Sequence, residues 1–261
     1  TYKLLMAQAL PTPKTECFYN RTYNKIKAIE QLKKLSYPII IKNASGSNSQ
    51  GIVPFVETVT EANTILKKEL PNLRSMVAQE MVFGKEYRIL VLGNKIIGAL
   101  EMIHPNIVGN GKSSIRKLIK EKQTSTQKRT SFDKTLNKTL KSQKVTLDTI
   151  LSKKKVIYIK RNACLAEGGE TRDVTDLVHK DVADICVEAS KAVGKYLVGV
   201  DVICKDISKR QTKKSFNILE INARPDMYIH HNPTHGKPRN VLRDIIKYLV
   251  KQSSPLSSHI K

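Results

Sequence analysis

Val198-Gly199-Val200-Asp201-Val202-Ile203 and Phe216-Asn217-Ile218-Leu219-Glu220-Ile221-Asn222 decide how this chain is read. Each is an apolar strand with an acid inside it. Alternate side chains of a strand share a face, so Glu220 and Asn222 point together while Leu219 and Ile221 turn to the core. Asp201 lies on a strand that can pair alongside. An acid inside an apolar strand needs a partner. Two carboxylates and an amide oxygen suit a hard cation, Mg²⁺ or Mn²⁺, that keeps coordination places for phosphate oxygens. The competing reading, an acid that faces solvent at a strand end, serves for Asp201 alone and weakens when all three positions are taken together.

Upstream, the apolar run Tyr37-Pro38-Ile39-Ile40-Ile41 delivers Lys42 to a loop of small residues, Asn43-Ala44-Ser45-Gly46-Ser47-Asn48-Ser49-Gln50-Gly51. Small residues let backbone N–H groups approach phosphates, and a lysine adds a point charge. Alone the pattern is weak, because many strands end in Lys before a polar turn. Further on, Glu80 and Glu86 flank a short apolar hinge through Val82. Adenosine needs acceptors for its exocyclic amine and ribose hydroxyls, and an apolar slot for its ring; Glu80, Val82 and Glu86 can supply these.

Two patterns are set aside. Gly109-Asn110-Gly111-Lys112-Ser113-Ser114 imitates the end of a P-loop, but that motif needs Gly where Asn106 stands. His230-His231-Asn232-Pro233-Thr234-His235 imitates a metal cluster. Adjacent histidines on a Pro-containing turn rarely converge on one ion, and a structural or substrate-side role is preferred.

Around these motifs, helices are expected over 3–10, 23–34, 61–70, 115–122, 132–140, 180–193 and 241–251. Strands are expected over 38–42, 52–56, 76–81, 86–92, 95–103, 156–160, 197–204 and 215–222. Residues 11–13 form a Pro-rich turn, and Pro71 stops the third helix. Separate helices and antiparallel-looking strands make an α+β class. The stretch from Ile115 to Lys155 is rich in Lys, Ser, Thr and Gln, with Phe132 its only aromatic, and reads as a solvated face with a mobile segment between two helices.

The 261 residues carry 46 Lys+Arg against 23 Asp+Glu, a net charge of +23. Such a charge often marks nucleic-acid or anionic-membrane binding. Here the excess is mostly Lys, reads as spread along the chain, and accompanies only 5% aromatic residues with no Trp, which is poor material for base stacking. No run approaches the roughly 20 apolar residues a membrane span needs. Cys17, Cys164, Cys186 and Cys204 form no CxxC pair, which argues against a zinc cluster and a disulfide framework and for reduced thiols in a cytoplasmic protein. The opening residues show no signal-peptide pattern and do not start with Met, as expected of a fragment or a processed form.

In this order the motifs resemble the ATP-grasp superfamily, and within it cyanophycin synthetase and the glutathione-synthetase half of the bifunctional glutamate–cysteine ligase. Val108-Gly109-Asn110-Gly111-Lys112-Ser113-Ser114-Ile115-Arg116-Lys117-Leu118-Ile119 is similar to V-x-G-[DN]-G-x-x-[ST]-I-x-x-L-I. Arg161-Asn162-Ala163-Cys164-Leu165-Ala166-Glu167-Gly168-Gly169 followed by Asp173-Val174-Thr175-Asp176 resembles R-x-N-A-N-L-S-T-G-G and D-V-T-D. Glu220-Ile221-Asn222-Ala223-Arg224-Pro225, then the run from His231 through Pro233, Gly236 and Pro238 to Arg239, resembles E-[IV]-N-A-x-P and H-x-x-P-x-x-G-x-P-R.

The resemblance implies a two-subdomain ATP-grasp fold. Residues 1–20 would end a linker helix and a Pro-rich turn; 21–82 would form the small lid subdomain; 83–251 would form the large one, with a Lys-rich insertion at 112–155; 252–261 would be a tail. It further implies that Lys42 contacts the ATP phosphates under a lid that includes Gly46, Ser47 and Gly51. Glu80 and Val82 would read adenine, and Glu86 would hold the ribose. Asp201, Glu220 and Asn222 would hold Mg²⁺, and Arg88 and Arg161 would stabilise the transferring phosphoryl group or the acyl phosphate. The expected reaction joins a carboxylate to an amine on amino acid or peptide substrates, with no membrane partner, a substrate domain upstream of Thr1 and a homo-oligomer. Two other readings remain: an ATP-binding module without turnover of its own, and a basic nucleic-acid-binding protein. The segment Cys164-Leu165-Ala166-Glu167 departs from the family's Asn-Leu-Ser-Thr.

Overall fold

A computed structural model describes residues 2–44, 52–126, 130–160, 165, 168–212 and 215–253. The chain opens with α1 (Tyr2–Ala7) and enters a first sheet through β1 (Thr15–Tyr19). It then runs through α2 (Lys25–Lys33), β2 (Ile39–Asn43), β3 (Val53–Val56), α3 (Val59–Glu69) and β4 (Ser75–Glu80). The sheet order is β1-β4-β2-β3. β1 corrects the sequence reading, which left residues 14–20 without a strand. Its apolar signal is short, but Phe18 drops into the core beneath α2 and α3, beside Leu32, Leu66 and Ile39. Side-chain caps start both helices: Asn24 accepts from the N–H of Lys27, and Thr58 from that of Glu61.

The second sheet is larger. After β5 (Lys85–Leu92) and β6 (Lys95–Ile103) the chain leaves for a separate lobe of β7 (Asn106–Val108), α4 (Ile115–Thr126), α5 (Lys134–Ser142) and β8 (Val156–Tyr158). It returns as β9 (Glu170–Asp173), α6 (Lys180–Ala192), β10 (Leu197–Cys204), β11 (Phe216–Asn222), α7 (Tyr228–His231) and α8 (Val241–Ser253). The order is β11-β10-β5-β6-β9, every pair antiparallel. One face packs on α6, with Tyr87, Ile89, Val91, Val198, Val200 and Val202 turned towards it. Leu5 of α1 and Leu10 enter the same core, so the start of the chain rests on this sheet. Cys186 and Cys204 lie there too as free, buried thiols, and burial pushes both above the ordinary thiol range.

The lobe corrects the picture of a merely solvated insertion. Ile115, Leu118 and Ile119 of α4, Leu136 and Leu140 of α5, and Ile107, Ile157 and Ile159 of the ribbon close on a core of their own. The P-loop imitation is its entry turn: the Asn110 side chain accepts from the N–H groups of Lys112 and Ser113, and Gly111 takes φ 79°. The charge also proves uneven. Residues 106–160 hold fifteen Lys+Arg against three Asp+Glu, whereas the other 206 residues hold 31 against 20. No helix among the described residues is long and apolar enough to cross a membrane.

Candidate functional site

The face of the five-stranded sheet opposite α6 carries the acidic residues. Register places Asp201 beside both Arg88 and Glu220, Glu86 opposite Ile203, and Asn222 opposite Gly199. Partners in register share a face, so Glu86, Arg88, Asp201, Glu220 and Asn222 line up across β5, β10 and β11. The pairing of β10 with β11 slips between Asp201 and Val202, which face Glu220 and Ile218. Leu219 is the extra residue. The bulge corrects the expectation that Leu219 faces the core: Phe216 and Ile218 fill that core instead, and Ile221 packs against it. A bulge re-aims the side chains around it, and here it presents Glu220 and Asn222 together.

Asp201 is nearly buried. Arg88 grips it bidentately, Nε to Oδ1 at 2.7 Å and Nη2 to Oδ2 at 2.8 Å, and Asn222 Nδ2 donates to Oδ2 at 3.0 Å. Burial works against the guanidinium charge, but the bond and charge of Asp201 hold Arg88 above its ordinary value. The sequence reading aimed Arg88 at the transferring phosphoryl group; in the structure two of its N–H groups are spent on Asp201, which it orients. Glu220 is exposed, and its carboxyl is pushed up by partial desolvation and by the charge of Asp201, with Lys42 and Arg88 opposing.

Lys42 reaches this face from the first sheet. Its Nζ donates to the hydroxyl of Tyr2 at 3.0 Å and lies 5.5 Å from the centre of that ring. The same hydroxyl donates to the carbonyl of Leu219. Glu80 ends β4, and its carboxylate accepts from the N–H of Ser36 at 2.8 Å, so this side chain is occupied by the backbone of the segment leading into β2. Val82 is half-buried on the hinge that leads into β5. At Gly84 any side chain would sit 2.8 Å from the carbonyl oxygen of Cys204, so only glycine lets the hinge cross the end of β10. Glu86 stands 3.7 Å from His104 Nε2. Gly46, Ser47, Gly51 and Arg161 lie outside the described residues.

The donor set can hold a hard cation. Asp201 and Glu220 offer carboxylates, and because the Asn222 nitrogen faces Asp201, its Oδ1 is directed away. Among the described residues no three His, Cys, Asp or Glu side chains converge on one point. A cation here would share two carboxylates, an amide and phosphate oxygens rather than sit in an all-protein cage.

Motifs read separately in the sequence meet on the far edge of the sheet. Arg239 clamps Asp173, Nη2 to Oδ2 at 2.6 Å, and reaches Asp176 at 2.8 Å. Lys237 joins Asp176, and these bonds hold that carboxyl down to about 2. Glu170 binds both Lys122 at 2.7 Å and His235 at 2.9 Å, tying this edge to the lobe. His230 is fully buried against Gly98, and neither ring nitrogen has a partner among the described residues. Counting back from Pro233, the H-x-x-P pattern places its histidine at His230, not His231. Tyr2 gave no signal as a site residue; it lies 40 positions from Lys42 and 217 from Leu219. A cavity of about 510 Å³ between α1, β1 and α2 is separate, lined by Tyr2, Lys3 and Cys17 among others and by none of the acidic face.

Comparison with known proteins gives this architecture its class. The structure of a bifunctional glutathione synthetase from Pasteurella multocida superposes with TM-score 0.65 at 25% identity, over 96% of this chain and 36% of that one. An ATP-grasp ligase solved with a minimal precursor, Mg and ADP superposes with TM-score 0.53 at 15% identity, over 95% of this chain and 56% of that one. The fold is therefore an ATP-grasp fold. Residues 1–175 match the RimK-like ATP-grasp domain, and the chain belongs to that family. Cyanophycin synthetase from Geminocystis herdmanii is 32% identical over 84% of this chain, which spans 26% of that protein's length.

Proposed function

We propose that the chain binds Mg·ATP between its two sheets and uses it to phosphorylate a carboxylate, releasing ADP; an amine then attacks the acyl phosphate and displaces inorganic phosphate to form an amide. The observation that carries this reading is the convergence of Lys42, from one sheet, on the face of the other that bears Glu86, Asp201, Glu220 and Asn222. Lys42 would neutralise phosphate charge, and Glu86 would hold the ribose. Asp201, Glu220 and Asn222 would hold Mg²⁺, which spreads the charge of the transferring phosphoryl group. Arg88 aims Asp201 and opposes the upward push that burial gives its carboxyl. The work is positioning and charge neutralisation, with no covalent step on the protein. The nucleotide hinge is assigned to Glu80 and Val82, and the phosphate lid to the loop with Gly46, Ser47 and Gly51. The names of the relatives favour amino acids or short peptides as substrates.

A second reading follows from length. The chain spans 26% of the cyanophycin synthetase and 36% of the glutathione synthetase it matches. ATP binding without turnover is then the behaviour of a module whose carboxylate or amine site lies elsewhere. ADP release, measured over a panel of amino acids and dipeptides with hydroxylamine present, separates the two. Substrate-dependent ADP release with formation of a hydroxamate supports the ligase. ATP binding with neither product, across the panel, leaves the module.

A further inference from the structure

Tyr2 stands at the junction of the two sheets. Its hydroxyl accepts from Lys42 Nζ at 3.0 Å and donates to the carbonyl of Leu219, with Gln79 Oε1 at 3.4 Å as a weaker acceptor. Gln79 is itself fixed by Thr15, at 2.9 Å, on the neighbouring strand. Lys42 belongs to the sheet assigned to the lid, and Leu219 is the bulged residue directly before Glu220. One hydroxyl therefore joins the lysine assigned to the phosphates with the bulge that aims the carboxylates assigned to Mg²⁺.

A constraint at this point has a physical purpose. Lys42 is close enough to Glu220 for its charge to act on that carboxyl. A free lysine stem would let the ammonium swing onto the carboxylate and cancel both charges. Among the described residues Lys42 makes no ion pair, and its amine is held by the Tyr2 oxygen and ring instead. A hydrogen bond from a charged donor outweighs a solvent-screened ion pair, and the ring face adds a cation–π attraction. An ammonium carries three N–H donors; one is committed to Tyr2, and the other two remain for phosphate oxygens.

We infer that Tyr2 is a positioning residue for the nucleotide phosphates: it holds Lys42 off Glu220 and sets the lid strand against the β11 bulge. This rests on the nucleotide-site reading above. The test is titration of Mg·ATP and of AMP into the wild-type chain and into Tyr2→Phe, which keeps the ring and loses the hydroxyl. The dissociation constant for Mg·ATP is expected to rise about tenfold, the effect of losing one bond to a charged group. That for AMP, which lacks the outer phosphates, should stay within about twofold. A general disturbance of the fold would weaken both nucleotides alike or reduce the stoichiometry. Parallel losses, or no loss for Mg·ATP, overturn the proposal while leaving the nucleotide site standing. If wild type binds neither nucleotide, the site reading fails first and the proposal with it.

Discussion

On the five-stranded sheet the charged groups of the acidic face sit inside or against apolar strands, and the buried ones are paired: Asp201 with Arg88, Asp173 with Arg239. In the lobe of residues 106–160 the charge is denser, yet Lys120, Lys138, Lys141 and Lys144 stand exposed and make no ion pair with any described residue. Both regions close on aliphatic cores. The difference is where the charge was put. A charge inside a strand is too costly to leave alone, so its geometry is dictated by its partner. A charge on the solvent side of a helix is hydrated and free to move.

The contrast predicts unequal responses to substitution. Asp201→Ala leaves the Arg88 guanidinium without its partner in a mostly buried site, and should cost about 3 kcal/mol in urea unfolding. A loss below 1 kcal/mol would mean that water reaches Arg88 and that the face is no more constrained than the lobe.

A smaller effect should follow pH at His230. Burial, then the charge of Arg88, lowers its imidazole from 6.5 to about 4. The group stays neutral in the folded protein at pH values where the unfolded chain protonates it. In that window the unfolded state binds the extra proton, so stability falls as pH drops below the unfolded value and stops falling near the folded one. Between pH 7 and pH 5 the loss should be about 2 kcal/mol, and His230→Phe should remove that component. Equal losses in both proteins would show that other groups carry the dependence.

The smallest response belongs to the lobe. Lys138→Glu and Lys141→Glu, on exposed positions of α5, should each change stability by no more than about 0.5 kcal/mol. A loss above 1 kcal/mol in either would erase the distinction between the two regions.

Legibility in the sequence divides along the same line. Four of the five strands of the large sheet were readable because their apolar runs are long, whereas the polar run Glu170–Asp173 gave no strand signal; the i, i+2 spacing of Glu220 and Asn222 put them on one face correctly. The bulge at Leu219 was not readable, since a register slip depends on the partner strand. Thr15–Tyr19 was missed because a Pro-rich turn and a short, mixed run precede a strand that only pairing with β4 makes evident. The lobe's composition announced lysine but hid its core, because Ile115, the pair Leu118 and Ile119, Leu136 and Leu140 are scattered among polar residues at helical spacing. The bidentate hold of Arg88 on Asp201 and the reach of Tyr2 to Lys42 and Leu219 are tertiary contacts that one sequence does not display.

Calorimetric titration of Mg·ATP into the chain, with Lys42→Ala and Glu220→Ala alongside, tests the central claim most directly. The expected result is saturable, Mg²⁺-dependent binding to the wild type that weakens at least about a hundredfold in both variants, each of which removes a charge from the phosphate–metal site. Folded wild-type protein that takes up no heat-releasing nucleotide at millimolar Mg·ATP, or binding equally strong in all three proteins, would contradict it.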